Sequence, residues 1–128
     1  AQQHHININF LKLDILNTNA QELGKFDVII SNPPYVLESE KQKMHINVLN
    51  YEPASALYVE DHHALLFYHK IRQLAANCLN KGGRIYLEIN ETKAKEIQNL
   101  LESHHFENII IHQDIHSKDR FISANISI

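Results

Sequence analysis

Two consecutive prolines, Pro33 and Pro34, close the apolar run Phe26-Asp27-Val28-Ile29-Ile30 and constrain the fold more than any other feature of this sequence. A β-strand can lead into Asn32-Pro33-Pro34-Tyr35 but a helix cannot continue through it. Each proline fixes φ near −65° and lacks an N–H, and the residue before a proline is pushed out of the helical region. The expected product is a stiff elbow at the carboxyl end of a strand, with carbonyls directed outward. In α/β folds that end of the sheet is where ligands bind. Asn32 adds a side-chain amide oxygen beside a backbone carbonyl, a pair of acceptors suited to an NH2 group. An ordinary proline-rich turn is the competing reading for these four residues taken alone.

The rest of the chain decides between them. Ile6, Ile8, Phe10, Leu11 and Leu13 form a strand-like segment ending at Asp14, and a short polar helix or turn spans Thr18 to Leu23. Residues 36–58 read as a long loop broken at Pro53. Asp61 is a candidate cap for a helix with Ala64, Phe67, Tyr68, Ile71, Leu74, Ala75 and Cys78 at helical spacing. Gly82-Gly83 is expected to end that helix. Arg84–Asn90 alternates as a strand, with Ile85, Leu87 and Ile89 on one face. A second helix carries Ala94, Ile97, Leu100 and Leu101, and residues 108–112 and 121–128 supply two final strands. Alternating β and α elements predict a largely parallel sheet with right-handed crossovers, and the last two strands an antiparallel hairpin at its edge.

Composition narrows the class. With 128 residues, 44% hydrophobic, the chain can form one domain, burying roughly two-thirds of its unfolded surface. A net charge of −3 with dispersed Lys and Arg provides no basic footprint for nucleic acid or an anionic membrane. No apolar run approaches a membrane span, no signal peptide is visible, and the single cysteine, Cys78, fits a reducing compartment. The cytoplasm is the simplest expectation. The ten histidines include the pairs His4-His5, His62-His63 and His104-His105, whose neighbours diverge and argue against a metal site. Cys78, on an apolar stripe, reads as a small core residue.

An α/β chain with Asn-Pro-Pro-Tyr after an interior strand resembles the class I S-adenosylmethionine-dependent methyltransferases. More narrowly, it resembles the protein-(glutamine-N5) methyltransferases that act on peptide-chain release factors. The matching segments are Phe10-Leu11-Lys12-Leu13-Asp14-Ile15-Leu16, Phe26 through Tyr35, Tyr51-Glu52-Pro53 with Ala56-Leu57, Gly82-Gly83-Arg84 with Leu87-Glu88-Ile89, and Lys118-Asp119-Arg120-Phe121. They run nearly end to end.

The resemblance implies a Rossmann-like class I methyltransferase sheet, mostly parallel with a C-terminal antiparallel hairpin, beginning at the family's third strand. The first two strands, the glycine-rich cofactor loop and an N-terminal domain would then be missing. Residues 1–128 would be the C-terminal part of the catalytic domain. The lack of an initiator Met fits the same expectation. A second departure from the family's pattern is Tyr58-Val59-Glu60-Asp61-His62-His63, at the rim of the implied site, where such enzymes carry a glycine-rich turn.

The implied activity is transfer of a methyl group from S-adenosylmethionine to the side-chain amide nitrogen of a release-factor glutamine, within Gly-Gly-Gln. The alternative acceptors are a ribosomal-protein glutamine or an exocyclic amine of a nucleic-acid base. Asn32, Pro33 and Tyr35 would be catalytic; Asn32, Pro33, Pro34, Tyr35 and Glu52 would bind substrate; Asp14 and Asn32 would contact the cofactor. For Asp14, a turn or helix cap is an equally suitable role. Glu88 points away from the core face of its strand, and Arg120 is expected to anchor the final hairpin. The 128 residues alone are expected to bind cofactor weakly and to leave the edge of the Phe26–Ser31 strand unpaired. The fragment would then dimerise, re-pair the Ile6–Leu13 segment or aggregate through that edge.

Overall fold

The computed structural model describes residues 7–37, 58–59 and 63–127. Its main sheet has four strands: β1 (Phe26–Ser31), β4 (Leu79–Glu88), β5 (Phe106–Gln113) and β6 (Asp119–Ile126), in the order β1-β4-β6-β5. β1 and β4 are parallel, whereas β4–β6 and β5–β6 are antiparallel. The expected C-terminal hairpin is therefore present, and the described strands of the main sheet hold one parallel pair against two antiparallel ones. A separate two-residue pairing joins β2 (Val36–Leu37) to β3 (Tyr58–Val59), also parallel.

The helices are α1 (Ala20–Leu23), α2 (Leu66–Cys78) and α3 (Ala94–Glu102), the last preceded by a 3-10 turn at Glu91–Lys93. The apolar stripes predicted for α2 and α3 are the ones buried: Tyr68, Ile71, Leu74, Ala75 and Cys78 on the first, Ala94, Ile97, Leu100 and Leu101 on the second. All of these except Leu74 and Cys78 form one core with Ile85, Leu87 and Ile89 at and just beyond β4 and Ile122, Ala124 and Ile126 of β6. Burying a side chain of this size contributes ~1.5–3 kcal/mol.

Three expectations fail here. Residues 7–14 form no strand, and Ile8, Phe10, Leu11 and Leu13 are exposed, Phe10 by 87%. An alternating segment becomes a strand only beside a partner that accepts its backbone bonds, and the described residues present none alongside it. Second, Gly82-Gly83 does not end α2, which stops at Cys78 and passes directly into β4. Between the pairs Phe26↔Leu79 and Val28↔Arg84, β4 carries extra residues that β1 lacks. Gly82 takes φ +74°, and a Cβ on Gly83 would meet the Asn80 carbonyl oxygen at 2.8 Å and that of Asp27 at 3.1 Å. The glycines thus serve a strand irregularity, which the Asn80 amide clamps by donating to Asp27 at 2.8 Å. Third, α2 starts after Leu65 without a side-chain cap, and Asp61 lies outside the described residues.

Among the described residues only one face of β1 is covered. Ile29 packs against the core, while Val28 and Ile30 on the other face are exposed by 48% and 79%. A continuous apolar run is the pattern of a strand covered on both faces. Beside β1 an open groove of about 300 Å³ is lined by Ile15, Leu23, Phe26, Ile71, Leu74 and Cys78, among others. Burial pushes the Cys78 thiol pKa up despite nearby Lys25, as suits a core residue.

Candidate functional site

Parallel pairing of β1 with β4 sets their carboxyl ends side by side, with Ser31 opposite Leu87. The next residues on each chain build the site. On the β1 side, Asn32 is exposed, Pro33 is buried, and Pro34 and Tyr35 are half-buried. The proline therefore roots the elbow while the amide stands out from it. Among the described residues nothing hydrogen-bonds the Asn32 side chain.

On the β4 side, Glu88 and Asn90 hold Tyr35. The Tyr35 hydroxyl donates to Glu88 Oε1 at 2.5 Å, and the Asn90 amide donates to the Tyr35 carbonyl oxygen at 3.2 Å. Tyr68 of α2, almost wholly buried, donates to the backbone oxygen of Glu88 at 3.0 Å. Burial, then the hydrogen bond and charge of Glu88, push the Tyr35 pKa up to about 12, against an opposing influence of Arg120. The Tyr68 hydroxyl is raised too, chiefly by burial. Both phenols stay protonated donors at any working pH.

The hairpin closes the corner. The Ile89 N–H donates to the Arg120 carbonyl at 3.0 Å. The Arg120 guanidinium reaches Asp114 Oδ2 through Nε at 3.3 Å and Nη2 at 3.2 Å, so it anchors the β5–β6 turn as expected. Lys118 pairs with Glu91 at 2.9 Å on the surface.

Asp14 stands on a turn of its own making. Its carboxylate accepts from the Leu16 N–H at 3.0 Å and the Asn17 amide at 2.6 Å, and its carbonyl accepts from the buried Thr18 hydroxyl at 2.7 Å. The turn role foreseen for Asp14 is thus present, and the exposed carboxylate keeps lone pairs for a further donor. Glu52 lies outside the described residues.

The sequence reading missed Asn90 and the Tyr35–Glu88 bond. Asn90 caps the 3-10 turn, accepting from the Thr92 N–H at 2.9 Å. An asparagine directly before Glu91-Thr92 was the available signal. The hydroxyl of Tyr35, a residue expected at the substrate, is on Glu88.

A sheet in this order, with its hairpin and a proline elbow after β1, defines a class I methyltransferase fold. The crystal structure of a protein-(glutamine-N5) methyltransferase (release factor-specific) from Alicyclobacillus acidocaldarius superposes with a TM-score of 0.52 at 20% identity, covering 85% of this chain and 53% of the other. Residues 2–121 match the family described as Eco57I restriction-modification methylase, and the chain belongs to that family. Among curated proteins it is similar to the release factor glutamine methyltransferase of Flavobacterium psychrophilum, 46% identical over 98% of this chain. The enzyme of the same name from Bacteroides thetaiotaomicron is 36% identical over 92% of it. The chain spans less than half of these relatives, 44% and 42% of their lengths.

Methyltransferases of this class use S-adenosylmethionine. The Asp14 carboxylate has acceptor capacity that suits an amino group, and Asn32 is exposed just past the carboxyl end of β1. None of the three glycines, Gly24, Gly82 and Gly83, belongs to a loop that could cradle the remainder.

Proposed function

We propose that this chain supplies the substrate side of a methyltransferase catalytic domain, acting on the side-chain amide nitrogen of a glutamine in a peptide-chain release factor. The observation that carries the reading is the exposed Asn32 amide on a buried proline at the carboxyl end of β1. The curated relatives' names support the choice of acceptor. Asp14 and Asn32 are the cofactor contacts in this reading; Asn32, Pro33, Pro34, Tyr35 and Glu52 are the substrate contacts. The cytoplasm, where release factors work, is the compartment.

Bound S-adenosylmethionine supplies an electrophilic methyl. The protein's part is to present a weak nucleophile to it. An amide nitrogen has its lone pair delocalised into its carbonyl. If the Asn32 side-chain oxygen and the carbonyl of Asn32 or Pro33 accept its two N–H bonds, the nitrogen faces the methyl. The same contacts strengthen as positive charge develops on that nitrogen. Holding two reactants in near-attack geometry can be worth ~7–11 kcal/mol, against ~1 kcal/mol net for one neutral hydrogen bond. Orientation by the elbow therefore outweighs any single contact. No general base is needed, because the product can lose its proton to water. A glutamate would set oxygen against both acceptors, a mismatch able to discriminate by ~10⁴.

The test uses the complete gene product carrying this sequence. Incubated with S-adenosylmethionine and a purified release factor, it should add one methyl to the Gly-Gly-Gln glutamine by peptide mass spectrometry. Asn32→Ala should abolish it. A second reading has a specific support in the family description, which names restriction-modification methylases. A base amine presents the same NH2 geometry once flipped out of a duplex. Against it stand the net charge of −3 and the dispersed Lys and Arg. Methylation of nucleic acid with salt-dependent binding, and none of the release factor, would overturn our choice of acceptor.

The edge of β1, which no strand pairs among the described residues, is also proposed to pair with another strand, so that the 128 residues self-associate. Light scattering that finds a monomer at all concentrations would refute this.

A further inference from the structure

Behind the elbow's acceptors stand Glu88 and Asn90, which are not among the proposed substrate contacts. Asn32 makes no side-chain bond of its own among the described residues, so what holds its direction must come from its neighbours. Upstream it is tied by the pairing of Ser31 with Leu87. Downstream, two fixed proline φ angles link it rigidly to Tyr35. Tyr35 is gripped at both ends, its hydroxyl by Glu88 at 2.5 Å and its carbonyl by Asn90 at 3.2 Å. These two grips stand on the core. The backbone of Glu88 accepts from the buried Tyr68, and Asn90 Oδ1 is held by the Thr92 N–H at 2.9 Å and its hydroxyl at 2.8 Å.

We infer that Glu88 and Asn90 are positioning residues, which aim the Asn32–Pro33 acceptor pair by fixing Tyr35 at its ring hydroxyl and its carbonyl. This rests on the reading of Asn32 as the amide receptor. On this assignment Tyr35 is a strut between β1 and β4, and its hydroxyl neither donates to nor takes a proton from a substrate. The raised pKa of that hydroxyl agrees, since a strut must remain a donor. Asn90 fixes the carbonyl that follows the prolines, and Glu88 fixes the plane of the ring.

The test compares Glu88→Ala, Glu88→Gln, Tyr35→Phe and the Glu88→Ala/Tyr35→Phe double variant in the complete gene product, with S-adenosylmethionine and a purified release factor. A misplacement of about 1 Å costs on the order of 100-fold in rate. Glu88→Ala and Tyr35→Phe should each lower kcat by about 10- to 100-fold, leaving KM for S-adenosylmethionine unchanged. Glu88→Gln should restore most of the loss, because its amide oxygen still accepts from Tyr35. The double variant should be no worse than the poorer single one. Losses that multiply, a Gln variant as poor as Ala, or full kcat in Tyr35→Phe would each overturn the inference. Tyr35→Phe keeps the ring and carries the test should Glu88→Ala fail to fold.

The acceptor can be wrong without affecting this result. If the wild type methylates another acceptor, the same variants are compared on that one. If it methylates nothing offered, the side-chain amide resonances of Asn32 in 15N-labelled protein decide. They should shift alike in Glu88→Ala and Tyr35→Phe and return in Glu88→Gln; unmoved resonances would refute the positioning role.

Discussion

The carboxyl end of β1, where it meets that of β4, and the outer face of β1 belong to one strand, yet they are opposites. At the strand ends nearly every polar group is matched: Tyr35 to Glu88, Tyr68 to the Glu88 carbonyl, Asn90 to Tyr35 and Thr92, Ile89 to Arg120. A few residues away, Val28 and Ile30 face outward, and earlier in the chain Phe10 and Leu11 are exposed with no strand beside them among the described residues. The difference is one of partners. The corner draws its partners from β4, β6 and α2, all within the described residues. The outer face has an apolar surface for which those residues provide no cover. A site can thus be rigid while the strand that carries it is half open.

The largest test of this contrast is a pair of truncations measured by urea unfolding. Ile85→Ala removes a side chain with no exposure and should cost ~2–5 kcal/mol. Ile30→Ala, on the open face, should cost under ~0.5 kcal/mol. Equal losses would mean that the open face is covered in solution. Next comes Asn90→Ala, which leaves the Tyr35 carbonyl and the Thr92 N–H without their partner. It should cost ~1–3 kcal/mol, and backbone hydrogen exchange should rise at Thr92 and the elbow while Ile85 stays protected.

The smallest effect is an acid dependence at the hairpin. Burial pulls the Asp114 carboxyl upward, but the Lys118 and His116 N–H groups and the Arg120 guanidinium outweigh it and hold its pKa below the ordinary value. A carboxylate with a depressed folded pKa stabilises the fold above its unfolded pKa. That contribution is lost as pH falls from about 4 through the folded value. Urea midpoints should therefore fall below pH 4 in the wild type and fall less in Asp114→Asn; identical profiles would discount the anchor.

The helices and the closing hairpin were legible in the sequence because their signals are local. The stripe from Ala64 to Cys78 and the one from Ala94 to Leu101 were read residue by residue, and the same residues are buried except Phe67, which is half-buried against the core. The Ile6–Leu13 segment failed because alternation describes a surface and is silent about its neighbour. Gly82-Gly83 has the look of a helix stop, and only the approach of Asn80 and Asp27 reveals its task. At the site, the proline elbow was visible at once. Its grip was not, since Tyr35 and Glu88 stand 53 residues apart and no local pattern links them. Alternation could place Glu88 off the core face, and no more.

Asn90 has a chemical consequence of its own. Its side chain works as donor and acceptor at once, and its carboxylate analogue can do only half of this. Hydrolysis of the amide would leave an aspartate that caps the 3-10 turn as well as before, since Asp and Asn are equivalent caps. Its second oxygen would then face the Tyr35 carbonyl, acceptor against acceptor. Asparagine is among the thermolabile residues. Ageing of this protein at high temperature could therefore disable the elbow by adding a mass of about one dalton, leaving helices and sheet intact.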